Sequence, residues 1–137
     1  MTTEEYLRQA LWTERQIKEI REEIQRLREL ASSVSGTAGE RTGGTGLGDR
    51  VGHAAAEIVY LEDMLAEEIK LYTEQYREIT EAIKKVDDAR YREILRRRYI
   101  KGQTYSSIAC DMHYSTQNIW RLHKRAIACM DDVLHER

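Results

Sequence analysis

The sequence predicts an all-α protein, with a long antiparallel helical hairpin over residues 1–86 and a compact module of three or four helices over 87–137. Three observations predict this. Apolar residues recur at helical spacing over two long stretches, a glycine-rich segment separates those stretches, and the 137 residues contain no proline. With 34% charged and 41% apolar side chains, the composition is that of long helices around a modest core.

Thr2 followed by Glu5 is a capping-box pattern, so the first helix is expected to begin there. Tyr6, Ala10, Thr13, Ile17, Ile20, Ile24, Leu27, Ala31 and Val34 then succeed one another at alternating steps of four and three, forming one apolar stripe. From 32 to 52 the pattern stops. Seven glycines among Ser, Thr and charged residues predict a flexible connector there, and GxxxxGK[ST], the phosphate-cradling pattern, is absent from it. The period returns with Val51, Ile58, Leu65, Tyr72, Ile79 and Val86 at sevens, interleaved with Ala55, Ile69, Tyr76 and Ile83. Glu62 breaks the second column, and Leu61 beside it is expected to cover the gap. Two such seams satisfy each other by folding back as an antiparallel pair about 45 Å long, at ~1.5 Å per residue for roughly 30 residues. Because two helices bury little area, a homo-oligomer held through the hairpin is expected as well.

Asp87 and Asp88 interrupt the seam and offer a cap for a new helix through Ile100, with Gly102 at its end. Ile94, Leu95 and Tyr99 form its apolar side. Beyond Gly102, Thr104 caps a short helix with Tyr105, Ile108, Ala109 and Met112 inward, and Ser115 caps a second with Ile119, Leu122 and Ala126 inward. Only His113 and Tyr114 lie between them. Two helices joined by so short a turn come closest at one point of the first, where Ala109 is small enough to stand, and the pattern is a helix-turn-helix. With that face buried, Thr116, Gln117, Trp120, Arg121 and Lys124 must point outward together.

Charge divides along the same line. Residues 1–86 carry −5 and 87–137 carry +3, and between 89 and 126 nine basic residues face only Glu93 and Asp111. Such asymmetry suggests an anionic partner, double-stranded DNA. An outward row of amide, hydroxyl and basic groups at the start of a helix suits a major groove, so Thr116, Gln117, Trp120, Arg121 and Lys124 are the candidate base readers. The candidate backbone contacts are Arg96, Arg97, Arg98, Lys101, Thr104, Ser115 and Arg125.

The run from about Arg92 to Leu134 resembles the DNA-binding fourth region of bacterial sigma factors. The marks are Tyr91-Arg92-Glu93-Ile94-Leu95-Arg96-Arg97-Arg98-Tyr99, the pair Ile108-Ala109, Ser115 before the second helix, and Lys124-Arg125-Ala126 near its end. The layout of hairpin, glycine-rich connector and terminal module is similar to phage late-transcription activators of the RinA and ArpU type. These resemblances imply a sequence-specific transcription regulator of phage or prophage type, with RNA polymerase as a second partner. His113 stands where sigma modules usually carry glycine, and Ser106 and Ser107 stand where they usually carry acids. No other sigma region is visible, which argues against a complete promoter-recognising sigma factor.

Two other readings compete. A DNA-packaging protein of the small-terminase kind also joins such a module to oligomerising helices, and a helical adaptor would use the basic module to bind protein. Catalysis is not expected, since no acid, base or nucleophile pair is fixed by a motif. Cys110 and Cys129 form no CxxC or Cys/His cluster, so both are read as buried free thiols and neither metal nor cofactor is expected. His53, His123 and His135 are read as solvated or core-edge residues, with His123 within reach of a phosphate. Without a secretory leader or an apolar run of roughly 20 residues, a cytoplasmic protein that does not enter membranes is expected.

Overall fold

The computed structural model describes residues 1–37 and 45–135, which form five helices and no strand. They are α1 (Thr3–Thr37), α2 (Thr45–Lys84), α3 (Ala89–Tyr99), α4 (Tyr105–Met112) and α5 (Thr116–His135). The expected connector over 32–52 is therefore shortened at both ends, because α1 continues to Thr37 and α2 begins at Thr45. Gly48 and Gly52 lie within α2, where an added Cβ would meet nothing. Residues 38–44, and the side chain of Val34, fall outside the described residues.

Contacts divide the chain into two compact units, Met1–Thr13 with Tyr72–Arg137 and Glu14–Leu71. In the unit Glu14–Leu71, α1 and α2 bury Ile20, Ile24 and Leu61, with Leu27, Ile58 and Leu65 packed around them. Leu61 does cover the gap in the second column, while Glu62 turns out to pair with Arg28 at 2.8 Å. The column of sevens is unevenly buried. Val51 is 36% exposed, whereas Val86, past the end of α2, is only 2% exposed in a core that α3 and α5 complete.

In the other unit the core is larger. Leu7 and Ala10 of α1 and Ile79, Ala82 and Ile83 of α2 share it with Val86, with Leu95 and Tyr99 of α3, and with Ala126 and Met130 of α5. Asp87 and Asp88 end a helix without ending a core. Arg92 holds the corner by donating from one guanidinium nitrogen to the carbonyls of Val86 and Asp87. Burying a Leu, Ile, Val or Met side chain contributes about 1.5–3 kcal/mol, and Leu7, Ile79, Ile83 and Val86 make the ends of the hairpin as much part of this unit as α3 and α5 are. Leu7, fully buried, is the member that the alternating stripe passes over.

Caps fall where the sequence places them. The Thr2 and Glu5 side chains each accept from the other's amide at 3.1 and 3.0 Å, and Asp88 accepts from Arg90 N at 2.8 Å. Thr104 accepts from Ser107 N and Ser115 from Asn118 N, each at 3.1 Å. After α3, Gly102 takes φ 71°, which glycine adopts without strain, and a Cβ there would stand 3.3 Å from Leu11 Cδ2, close enough that the leucine would have to shift.

A second cluster joins Ile94 of α3, Ile108 and Ala109 of α4, and Ile119 and Leu122 of α5, all nearly inaccessible. The turn between α4 and α5 closes on His113 at φ 60°, ψ 39°, a left-handed conformation. Tyr114 N donates to Ala109 O at 2.9 Å and His113 N to Cys110 O at 3.4 Å, the paired bonds of a Schellman ending. Cys110, expected to be buried, is exposed, because it follows Ala109 by 100° around a short helix whose other face is already in the core.

Left-handed backbone costs a side-chain-bearing residue about 1–2 kcal/mol, partly offset by the added unfolded-state freedom of glycine. Because His113 is itself exposed, His113→Gly is expected to stabilise the chain by up to ~1 kcal/mol in urea unfolding. Loss of stability would show that the imidazole supplies contacts of its own. Ala109→Leu adds volume where no room is left, and is expected to cost about 1–3 kcal/mol in the same measurement. A neutral result would mean that the α4–α5 crossing tolerates separation.

Candidate nucleic-acid interface

Burial of one face of α5 decides what the other presents. Ile119, Leu122, Ala126 and Met130 are between 0 and 5% exposed. Thr116, Gln117, Trp120, Arg121 and Lys124 are all exposed, as the spacing requires. Trp120 is 47% exposed and lies beneath Lys124, whose Nζ stands 3.8 Å from the ring centroid, so the indole and the ammonium form one surface feature. Arg121 makes no ion pair among the described residues, and neither do Lys101 and Arg125. Thr104 and Ser115 stand at the N-termini of α4 and α5, their hydroxyl oxygens occupied as cap acceptors.

The three consecutive arginines of α3 have three different environments. Arg97, whose side chain is only 21% exposed, donates to Glu93 at 2.7 Å, to Asp111 at 2.9 Å and to Gln103 at 3.1 Å. Gln103 in turn donates to Asp111 at 2.8 Å and to Ser107 at 2.9 Å, so one polar network ties α3 to α4. Arg98 donates to the Gln103 carbonyl at 2.9 Å and stacks over Tyr105, 4.3 Å from its centroid. Both are committed inside the fold. Arg96 pairs with Glu93 at 3.0 Å and lines a groove of about 360 Å³ with Thr80, Ile83 and Lys84, on the α2 side of α3. Together these bonds hold the Glu93 carboxyl below the usual range, against the burial that would raise it.

His123, expected to be solvated or at the edge of the core, stands inside the core and does not reach the surface. It is 3% exposed, with Nε2 2.6 Å from the Tyr99 hydroxyl and Nδ1 3.4 Å from the Tyr105 hydroxyl. Helical spacing carried the signal, since 119, 122, 123 and 126 lie at i, i+3, i+4 and i+7. Burial pushes the imidazole's pKa down and the Tyr99 hydroxyl's up, which favours the neutral form of both, and the imidazole tautomer sets which of the two donates in the bond between them. Nothing in the sequence pairs Arg97 with Asp111, 14 positions away.

Since the folded imidazole has a lowered pKa, the unfolded chain takes up the proton first as pH falls. His123 therefore contributes stability that is complete above the unfolded value of ~6.5 and is lost as pH drops towards the folded one. Urea unfolding between pH 7.5 and 5.5 is expected to show this decline in the native chain and a shallower one in His123→Gln. Equal slopes would place the titration elsewhere.

Among the described residues, no group of three or more His, Cys, Asp or Glu is placed to hold a metal ion, and no helix is long and apolar enough to cross a membrane. Neither a curated protein nor a solved structure matches the chain. A family model does match, over residues 43–131, which take in α2, α3, α4 and most of α5. That match covers more than half of the sequence, and the chain belongs to the family described as "Protein of unknown function (DUF1492)".

Proposed function

We propose that the protein is a sequence-specific DNA-binding regulator of transcription, acting as a helix-turn-helix that lays the first half of α5 in the major groove. The observation that carries this reading is the division of α5 into an apolar side sealed in two cores and an outer side of Thr116, Gln117, Trp120, Arg121 and Lys124. A glutamine and an arginine four apart at the start of an exposed helix match the acceptor and donor patterns of adenine and guanine. Lys101 and Arg125, free of ion pairs among the described residues, are the phosphate contacts that fix orientation, with Arg96 released from Glu93 as a third. Arg97 and Arg98 serve by holding α4 against α3, at one remove from DNA. The sigma-like pattern of α3 to α5 adds RNA polymerase as a second partner.

Anisotropy titration against a duplex selected from a random pool tests the reading. Arg121→Ala and Gln117→Ala are each expected to weaken selected duplex by about 5–150-fold, equivalent to 1–3 kcal/mol, and to leave random duplex nearly unchanged. Arg125→Ala is expected to weaken both alike and to reduce the salt slope by about one. If all three act equally on selected and random DNA, the assignment fails.

A further inference from the structure

In the unit Glu14–Leu71, α2 carries more apolar surface than α1 covers. Tyr60 is 58% exposed, Met64 37% and Leu71 41%, although Leu61 between them is buried. These three stand at i, i+4 and i+11, on one side of the helix, and Glu57 and His53 continue the same line toward its start. There the line meets a groove of about 490 Å³ between the two helices, floored by Leu27, Leu30, Ala31 and Ala54. Leu30 is itself 49% exposed. Groove and stripe thus share one side of α2, with His53 and Glu57 between them, Arg50 at the rim of the groove and Glu67 interrupting the stripe between Met64 and Leu71.

We propose that this face receives a second copy of the chain in a two-fold contact, with Tyr60 of each copy entering the groove of the other. Three grounds favour a second copy over a different partner. A symmetric contact needs a patch complementary to itself, and this one has a socket and a knob side by side. Its rim carries both signs, and neither Arg50 nor Glu57 forms an ion pair among the described residues, so each is available to the other across a two-fold axis. The exposed aromatic and aliphatic groups with the groove floor offer an apolar centre for a contact between copies, and the buried core among the described residues of this unit, Ile17, Ile20, Ile24 and Leu61, is small for two helices on their own. A further consequence rests on the DNA reading: one α5 reads half a site, and the second copy supplies the other half.

Sedimentation equilibrium of the full chain, without DNA, tests the contact and leaves the DNA reading untouched if it fails. A dimer is expected, and Tyr60→Glu and Leu30→Glu are each expected to raise its dissociation constant by about tenfold or more, with helix content by circular dichroism unchanged. Val59→Glu, ~100° round α2 from Tyr60, is expected to leave the dimer intact. Arg50→Glu is expected to weaken it, and Glu57→Arg in the same chain to restore it. A chain monomeric at ~100 µM, a dimer indifferent to Tyr60→Glu, or one broken by Val59→Glu overturns the proposal.

Discussion

Ile119 and Leu122 on one stretch of α5, and Ala126 and Met130 on the next, are claimed by two different cores, and this double claim governs the rest of the module. The first pair is held by α3 and α4, the second by α3 with the ends of α1 and α2. A helix fixed along its whole apolar side has no rotational freedom left. The direction in which Gln117 and Arg121 point is therefore set by packing, not by their own contacts. Ala109, 4% exposed, admits α4 to the first core, and the left-handed His113 reverses the chain within three residues so that Ser115 can cap α5 at once.

Polar groups reinforce the same placement. Arg97, Gln103 and Asp111 bridge α3 to α4 at the start of the turn, where a displaced helix would leave a guanidinium without its partners. Inside, the neutral pair of Tyr99 and His123 closes the space between α3 and α5 with a short hydrogen bond. Such a bond favours one register of α5 on α3, whereas an all-aliphatic contact would tolerate several. Electrostatics follow from this geometry. The basic excess of 89–126 is partly spent within the fold, on Glu93, Asp111 and backbone carbonyls, and the cations left to a partner are fewer than the count of arginines suggests.

What was legible in the sequence was what depends on period and caps. The stripe of α1, the inner faces of α4 and α5, and the caps at Thr2, Asp88, Thr104 and Ser115 follow from spacing and residue type. Illegible were relations between distant segments. Whether Leu7 meets Met130, or Arg97 meets Asp111, depends on how helices stack, and neither leaves a local mark. The unit boundary at Thr13 and Leu71 escaped for the same reason, since a break in a helix is visible in sequence and a break in a core is not. His123 lies between these cases: its period is that of the buried face, but its chemistry suggested water. The extent of α1 and α2 beyond the expected ends shows that glycine weakens a helix without forbidding it.

Whether duplex DNA lies on the outer face of α5, as proposed, is decided by amide chemical-shift mapping of the isotopically labelled chain titrated with a selected duplex. The largest perturbations are expected between Ser115 and Lys124 and at the indole of Trp120, with smaller ones near Lys101 and Arg125. Perturbations centred on α2, or none outside Arg96 and its neighbours on the far side of α3, would contradict it.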